Sequence, residues 1–275
     1  MSWCFLRRLP LVAAVVVVVP GPVLVASAQG IKLASHRAVY ELSLARPDPT
    51  GSVVALQGRL VMEFSDACDG YTLNQRIHTE TTDGDDNDVS SDFTTSSWES
   101  RDGTRFRFSL RNEVSGETTE EYVGTAEVDK AGKGGTVDFT KPNTRKMALP
   151  PHTVFPNVHL VTLLRGAMAG ETMLPVRVFD GSGDDGLFAT GGHIGKPYAK
   201  VAADEAGVLK PLRGMASWPV RIAYFPLLTK AETPEYEIAF RLFANGISGD
   251  LLLDYGDYAM KGVLSRLDLL PGQGC

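Results

Sequence analysis

The feature that most constrains the fold is a two-residue alternation of apolar and polar side chains. In HRAVYELSL, Ala38, Tyr40, Leu42 and Leu44 alternate with Arg37, Glu41 and Ser43. In GRLVMEFSD, Leu60, Met62 and Phe64 share one parity. In TRFRFSLRN, Phe106, Phe108 and Leu110 oppose Arg105, Arg107 and Arg111. EYEIAFRLF repeats the pattern with Tyr236, Ile238, Phe240 and Leu242. Successive strand side chains point to opposite faces, so this pattern belongs to antiparallel strands with one wet face. Turn-forming clusters separate the runs: RPDPTGS, TDGDDND, SRDGT, KAGKGG, DGSGDDG and ANG. The spacing predicts a mainly β chain.

One stretch departs from that period. LPPHTVFPNVHLVTLLRGAMAGE carries prolines, then Asn157 as an N-cap, then Val161, Leu164 and Met168 at helical spacing. Leu160, Leu163 and Ala167 stand beside them, and Gly170 closes the segment. This predicts a short helix over 157–169 whose broad apolar face packs against, or plugs, a curved sheet. No internal repeat, low-complexity linker or composition shift divides the chain.

The first thirty residues read differently. Arg7 and Arg8 precede an apolar run from Leu9 to about Leu24, which Pro20, Gly21 and Pro22 interrupt, and Ala26-Ser27-Ala28 follows. That layout predicts a signal peptide over 1–28, with a single β domain over 29–275. A membrane anchor is the alternative, but the run is short for a full span. Cleavage removes Cys4 and leaves Cys68 and Cys275, an even count in an exported chain. One disulfide between them is expected, with two free thiols as the alternative. Neither cysteine has partners at metal-ligand spacing, so no metal and no cofactor is expected.

Losing Arg7 and Arg8 takes the formal net charge from −6 to about −8. An acidic chain without a basic cluster argues against a nucleic-acid partner and against docking on anionic lipid.

Motifs for catalysis are missing. There is no G-x-S-x-G, S-x-x-K or H-E-x-x-H. DGDDNDVSSD places Asp88 and Thr94 where a calcium loop starting at Asp83 needs glycine and glutamate, so it reads as a solvated hairpin tip. FDGSGDDGLFATGG lacks the lysine of a phosphate loop and reads as a flexible turn between strands. Arg105, Arg107 and Arg111 form the solvated face of a strand, with an anion site as the sharper reading. SWPVRIAYFPLL groups Trp218, Tyr224 and Phe225 between prolines, either as a core anchor or as the lining of an apolar groove.

SHRAVYELSL, LPPHTVFPNVH with its helix, FDGS, SWPVRIAYF and the long block PEYEIAFRLFANGISGDLLLDYGDYAMKGVLSRLDLLP ending in a cysteine resemble the cell envelope integrity protein EipB family of alphaproteobacteria. The resemblance spans residues 33–275. It implies a periplasmic protein with a single highly curved, spiral-like antiparallel sheet and a few short helices, no known enzymatic reaction, and a role in the envelope barrier. The family's paired cysteines map onto Cys68 and Cys275.

The leading expectation is therefore a non-enzymatic protein. Its concave apolar surface, lined by Tyr40, Phe106, Phe108, Trp218, Tyr224, Phe225 and Phe240, takes a lipid or other hydrophobic envelope ligand. Phe225 has the opposite parity to Trp218 and Tyr224, so it joins that surface only if its strand bends at Pro219. A scaffold for a periplasmic protein partner is the second reading, with a homodimer among the forms the sequence permits. A hydrolase built on a buried Ser/His/Asp cluster is the third.

Overall fold

The computed structural model describes residues 31–183, 186–229 and 231–272. The leader expected over 1–28, and Cys275, lie outside the described residues. From Ile31 onward the chain forms one compact unit.

The alternating segments become strands. β1 (His36–Arg46), β2 (Ala55–Asp66), β3 (Gly70–Thr82) and β4 (Asp88–Ser100) follow one another as an antiparallel meander. β5 (Arg105–Val114), β6 (Glu117–Val128), β7 (Gly135–Lys141) and β8 (Arg145–Leu149) continue it. The β5–β6 turn shows the local logic. Ser115 and Gly116 both take positive φ, at 50° and 84°, the two-residue turn whose twist matches the strands it joins.

After a short β9 (Thr153–Val154) comes the helix α1 (Pro156–Ala169). β10 (Met173–Phe179) then pairs in parallel with β9. A second antiparallel run follows: β11 (Leu187–Ile194), β12 (Ser217–Pro226), β13 (Tyr236–Phe243), β14 (Ser248–Asp254) and β15 (Ala259–Leu269). β15 pairs with β1, so the two runs merge. Among the described residues fifteen strands make one sheet, with β8 at one edge and β9 at the other. The expected fold class holds: one highly curved antiparallel sheet with a short helix.

Curvature follows from which residues meet. Phe64 on β2 and Trp218 on β12 belong to one buried cluster with Leu163, Leu164 and Ala167 of α1, although four strands lie between β2 and β12 in the sheet order. Their shared face must be concave, and α1 lies on it. A second cluster joins Ala38, Tyr40 and Leu42 to Leu60, Phe243 and Leu264, with Val201 and Leu212 from the β11–β12 connection packed over them.

A third cluster closes the sheet. Phe106, Phe108 and Phe139 from the first run meet Phe155 at the start of α1, Phe179 of β10 and Leu187 of β11. Phe106 stacks on Phe155 at 5.1 Å, and Phe108 meets Phe179 edge-on at 5.5 Å. The two ends of the sheet are thus brought together by rings. The FDGSG turn, expected to be a flexible link, packs into this seam. Gly181 and Gly183 have φ of 85° and 93°, and a Cβ there would lie 2.7 Å from Phe108 and 2.5 Å from Tyr122. Only glycine fits both the backbone angle and the approach.

The helix differs from expectation in two respects. Its bounds are close to those predicted, with Pro156 at the first position, where a missing N–H costs nothing. Gly170 closes it in the left-handed region, with the Gly170 N–H donating to Ala167 O and the Glu171 N–H to Gly166 O. Asn157, however, is not the N-cap; Phe155 occupies that position without a side-chain bond. Glu99 of β4 supplies the missing acceptor, taking the N–H of Asn157 at 2.7 Å and of Val158 at 3.0 Å. The buried face is also rotated. Leu163, Leu164 and Ala167 are buried, whereas Met168, expected in the core, is 51% exposed.

Candidate functional site: the concave face

Strand parity assigns the side chains of the concave face. On β12, Trp218, Val220, Ile222 and Tyr224 share it; on β13 their direct partners are Leu242, Phe240, Ile238 and Tyr236. Leu251 and Leu253 of β14 stand opposite Phe240 and Ile238. On the far wall, Leu73, Gln75, Ile77 and Thr79 of β3 face the same side, opposite Ser97, Thr95, Phe93 and Ser91 of β4.

Burial along this face is uneven. Where α1 and the seam pack, the side chains are closed off. Elsewhere they are half-buried: Tyr224, Tyr236, Ile238, Phe240 and Leu253 on one wall, and Leu73, Gln75, Ile77, Phe93 and Thr95 on the other. The first wall is aromatic and aliphatic. The second alternates apolar groups with amide and hydroxyl groups.

The seven aromatics expected to line the site separate into three sets. Tyr40, Phe106, Phe108 and Trp218 lie on the concave side but are buried in core clusters. Tyr40 also donates its hydroxyl to Ser248 O at 2.7 Å. These four hold the wall in shape; they do not offer open surface. Tyr224 and Phe240 remain half-buried and accessible. Phe225 stands opposite Ala189 on the other face of β12, so no bend at Pro219 brings it inward.

Sequence reasoning passed over the tyrosine ladder at the mouth. Tyr224 stacks on Tyr236 at 4.5 Å, and Phe188 meets both edge-on at 5.5 and 5.6 Å. Tyr236 approaches Tyr255 at 6.3 Å, and Tyr255 stacks on Tyr258 at 5.2 Å. The signal for part of it was present, since Tyr236 shares the parity of Phe240 in EYEIAFRLF. Burial pushes the phenols of Tyr224, Tyr236 and Tyr255 well above their ordinary value, so they remain hydrogen-bond donors at neutral pH. Asp180 lies next to them. Burial raises its carboxyl, while the backbone N–H of Ser182 donates to it at 2.9 Å and the Ser182 hydroxyl at 2.6 Å.

Chemically, this surface can hold a chain of methylenes against ring faces and offer phenolic donors to an oxygen at its end. Among the described residues, no group of three or more His, Cys, Asp and Glu side chains is placed to hold a metal ion. No described helix is long and apolar enough to cross a membrane.

Comparison with known proteins gives consistent results. The family described as EipB-like matches residues 27–271. The chain is 37% identical over 246 residues to the cell envelope integrity protein EipB of Brucella abortus (strain 2308), covering 88% of this chain and 86% of that protein. A crystal structure of a beta-barrel-like protein of domain of unknown function DUF1849 from Brucella abortus superposes with a TM-score of 0.80 at 35% identity. That match covers 88% of this chain and 100% of the other.

Proposed function

The chain belongs to the EipB-like family, and from that premise we propose that it maintains the cell envelope from the periplasm by holding a hydrophobic envelope ligand on its concave face. The observation that carries this reading is accessible aromatic surface inside an enclosing sheet. Tyr224, Tyr236 and Phe240 stay half-buried on that face, and Tyr255, in the β14–β15 turn beside Tyr236, keeps 37% of its surface exposed.

The occupant that fits is an acyl chain with an oxygen-bearing end. Each methylene buried against Ile238, Phe240 and Leu253 contributes about 0.8 kcal/mol, less the cost of ordering the chain. Tyr224 and Tyr255 supply donors for the polar end, while the Tyr236 hydroxyl donates to Asp180. No charged anchor is needed. The bridge from Cys68 to Cys275 belongs to the same proposal. Leu269, His36 and Phe64 lie in one cross-strand row, so β15 ends close to the β2–β3 turn that carries Cys68.

The test is titration with fluorescently labelled dodecanoic acid, alongside complementation of a deletion strain. Phe240→Asp puts a charge on the accessible wall without disturbing a fully buried position. We expect it to weaken probe binding at least about tenfold and to fail complementation while folding and accumulating normally. Unchanged binding together with full complementation would overturn the proposal.

A further inference from the structure

The outer face of β4–β6 carries a second feature, unrelated to the concave surface. Trp98 points outward, with Thr72 beside it on β3 and Arg107 on β5. The guanidinium of Arg107 lies 4.2 Å from the Trp98 ring centre, and that of Arg105 lies 5.6 Å away. Both arginines are exposed. Neither side chain forms an ion pair or a hydrogen bond among the described residues, although the Arg105 backbone N–H donates to Ser100 Oγ.

Arg165 is likewise without an ion pair among the described residues, whereas Arg37, Arg46, Arg59, Arg76, Arg101, Arg111, Arg221 and Arg266 each meet a carboxylate. Arg105 has Glu127 opposite it on β6 without pairing to it, while the direct neighbours of Arg107 are Trp98 and Thr125, both uncharged. Stacking on an indole fixes a guanidinium without neutralising it. The N–H donors of Arg107 therefore stay free, in the fork geometry that takes a carboxylate or phosphate through two parallel bonds.

A shallow groove of about 410 Å³ runs past this arginine, lined outward by Thr72, Ser96, Trp98, Ser109, Val123, Thr125 and Thr140, so that apolar surface outweighs polar surface along it. Its walls carry hydroxyl groups beside one fixed cation. Among the described residues Thr72, Ser109 and Thr125 have theirs free, while Ser96 donates to Asn74 Oδ1 and Thr140 to Val123 O and each keeps an acceptor oxygen.

We infer that this groove binds an acidic sugar of a glycan strand: the ring's carboxylate or phosphate sits on Arg107, and its hydroxyls meet the serine and threonine side chains. Charge selects the source. The chain carries a formal net charge of −6, so a headgroup embedded in an anionic membrane would bring like charge against like. A glycan segment in solution brings only its own anion.

Calorimetric titration of the folded chain tests the inference with four probes: a muramic-acid disaccharide, glucosamine 1-phosphate, neutral chitobiose and vesicles containing phosphatidylglycerol. We expect one or both acidic sugars to bind at least about tenfold more tightly than chitobiose, with Arg107→Gln removing the difference. Arg107→Lys keeps the charge but loses the fork and should recover only part of the affinity. Arg241→Gln, at a stacked arginine on β13, should leave binding unchanged. Equal binding of chitobiose, unaltered binding by Arg107→Gln, response to the vesicles alone, or no saccharide binding would each overturn the inference. All are separable from failure of the acyl-chain proposal, because Trp98 and Arg107 face away from the concave side.

Discussion

Glu99 and His159 are both buried near the first turn of α1, and burial acts on them in opposite senses. Glu99 is pushed up to about 7 by burial, against two backbone N–H donors that favour its charge. Between its ordinary 4.5 and that value, the folded chain keeps a proton the unfolded chain has lost. Its contribution to stability is complete at low pH and disappears as pH rises through about 7. Burial lowers His159 from 6.5 to about 4, so there the unfolded chain holds the extra proton. Its contribution is complete above 6.5 and is lost as pH falls towards 4. The windows overlap and the slopes oppose. Relative to the parent chain, Glu99→Gln should make stability rise more steeply from pH 4.5 to 6.5, and His159→Gln should make it fall. Urea midpoints measured across that range decide this; parallel curves for all three chains would exclude it. A second residue-scale contrast concerns α1. Leu164→Ala should cost about 2–5 kcal/mol because it empties a fully buried site. Met168→Asp should change the unfolding free energy by no more than about 0.5 kcal/mol.

At the scale of elements, strands were legible and their depth was not. Alternation in HRAVYELSL and EYEIAFRLF identified β1 and β13 and the parity of their faces, because a strand's period is local. Whether a given inward residue would be sealed or accessible depends on what curls over it. Tyr40 and Phe108 are sealed by Ser248 and Phe179 far along the chain, whereas Phe240 on the same side stays half open. Helix α1 was legible in extent but not in rotation. Its two apolar stripes, Val161–Leu164–Met168 and Leu160–Leu163–Ala167, lie side by side, and the surfaces of β11–β13 and β3 decide which positions turn inward. Its cap was beyond reach for the same reason, since Glu99 lies on a different element. The FDGSG segment was recognisable as a turn, yet nothing in it announces Phe108 or Tyr122. Gly183→Ala should therefore destabilise like a core substitution, by about 1–3 kcal/mol, despite lying in a turn. Thermal unfolding beside the open-site control Gly116→Ser, where nothing crowds the new Cβ, separates crowding from the backbone angle common to both.

For the whole molecule, the seam joins the two ends of the sheet, whereas the proposed bridge would tie strands at its middle. Phe179 is fully buried where the sheet's ends meet, and Phe179→Ala should cost about 3–5 kcal/mol. Amide exchange should then quicken first in β8 and β10, beside the opened seam, and remain slow in β1; uniform acceleration would mean the seam is not a separate unit. The proposed Cys68–Cys275 bridge closes a loop of roughly 200 residues, for which chain-entropy arithmetic gives about 5 kcal/mol as an upper figure. Cys275→Ser should lower the thermal midpoint and leave the β-sheet spectrum intact, and an unchanged midpoint would count against the bridge.

The pairing of β1 with β15 also sets an order in time. As the chain emerges N-terminus first, β2 to β8 each find their partner in the strand just before, and β10 to β14 do the same later. β1 alone must wait with one edge bare until the last strand arrives. Joining the two runs is the most distant contact in sequence and the slowest kind to form. A chain broken off before Ala259 therefore holds two unjoined sheets and an uncovered edge of the sort that invites aggregation and proteolysis. Completeness is built into the topology: only a finished chain can hide its own beginning.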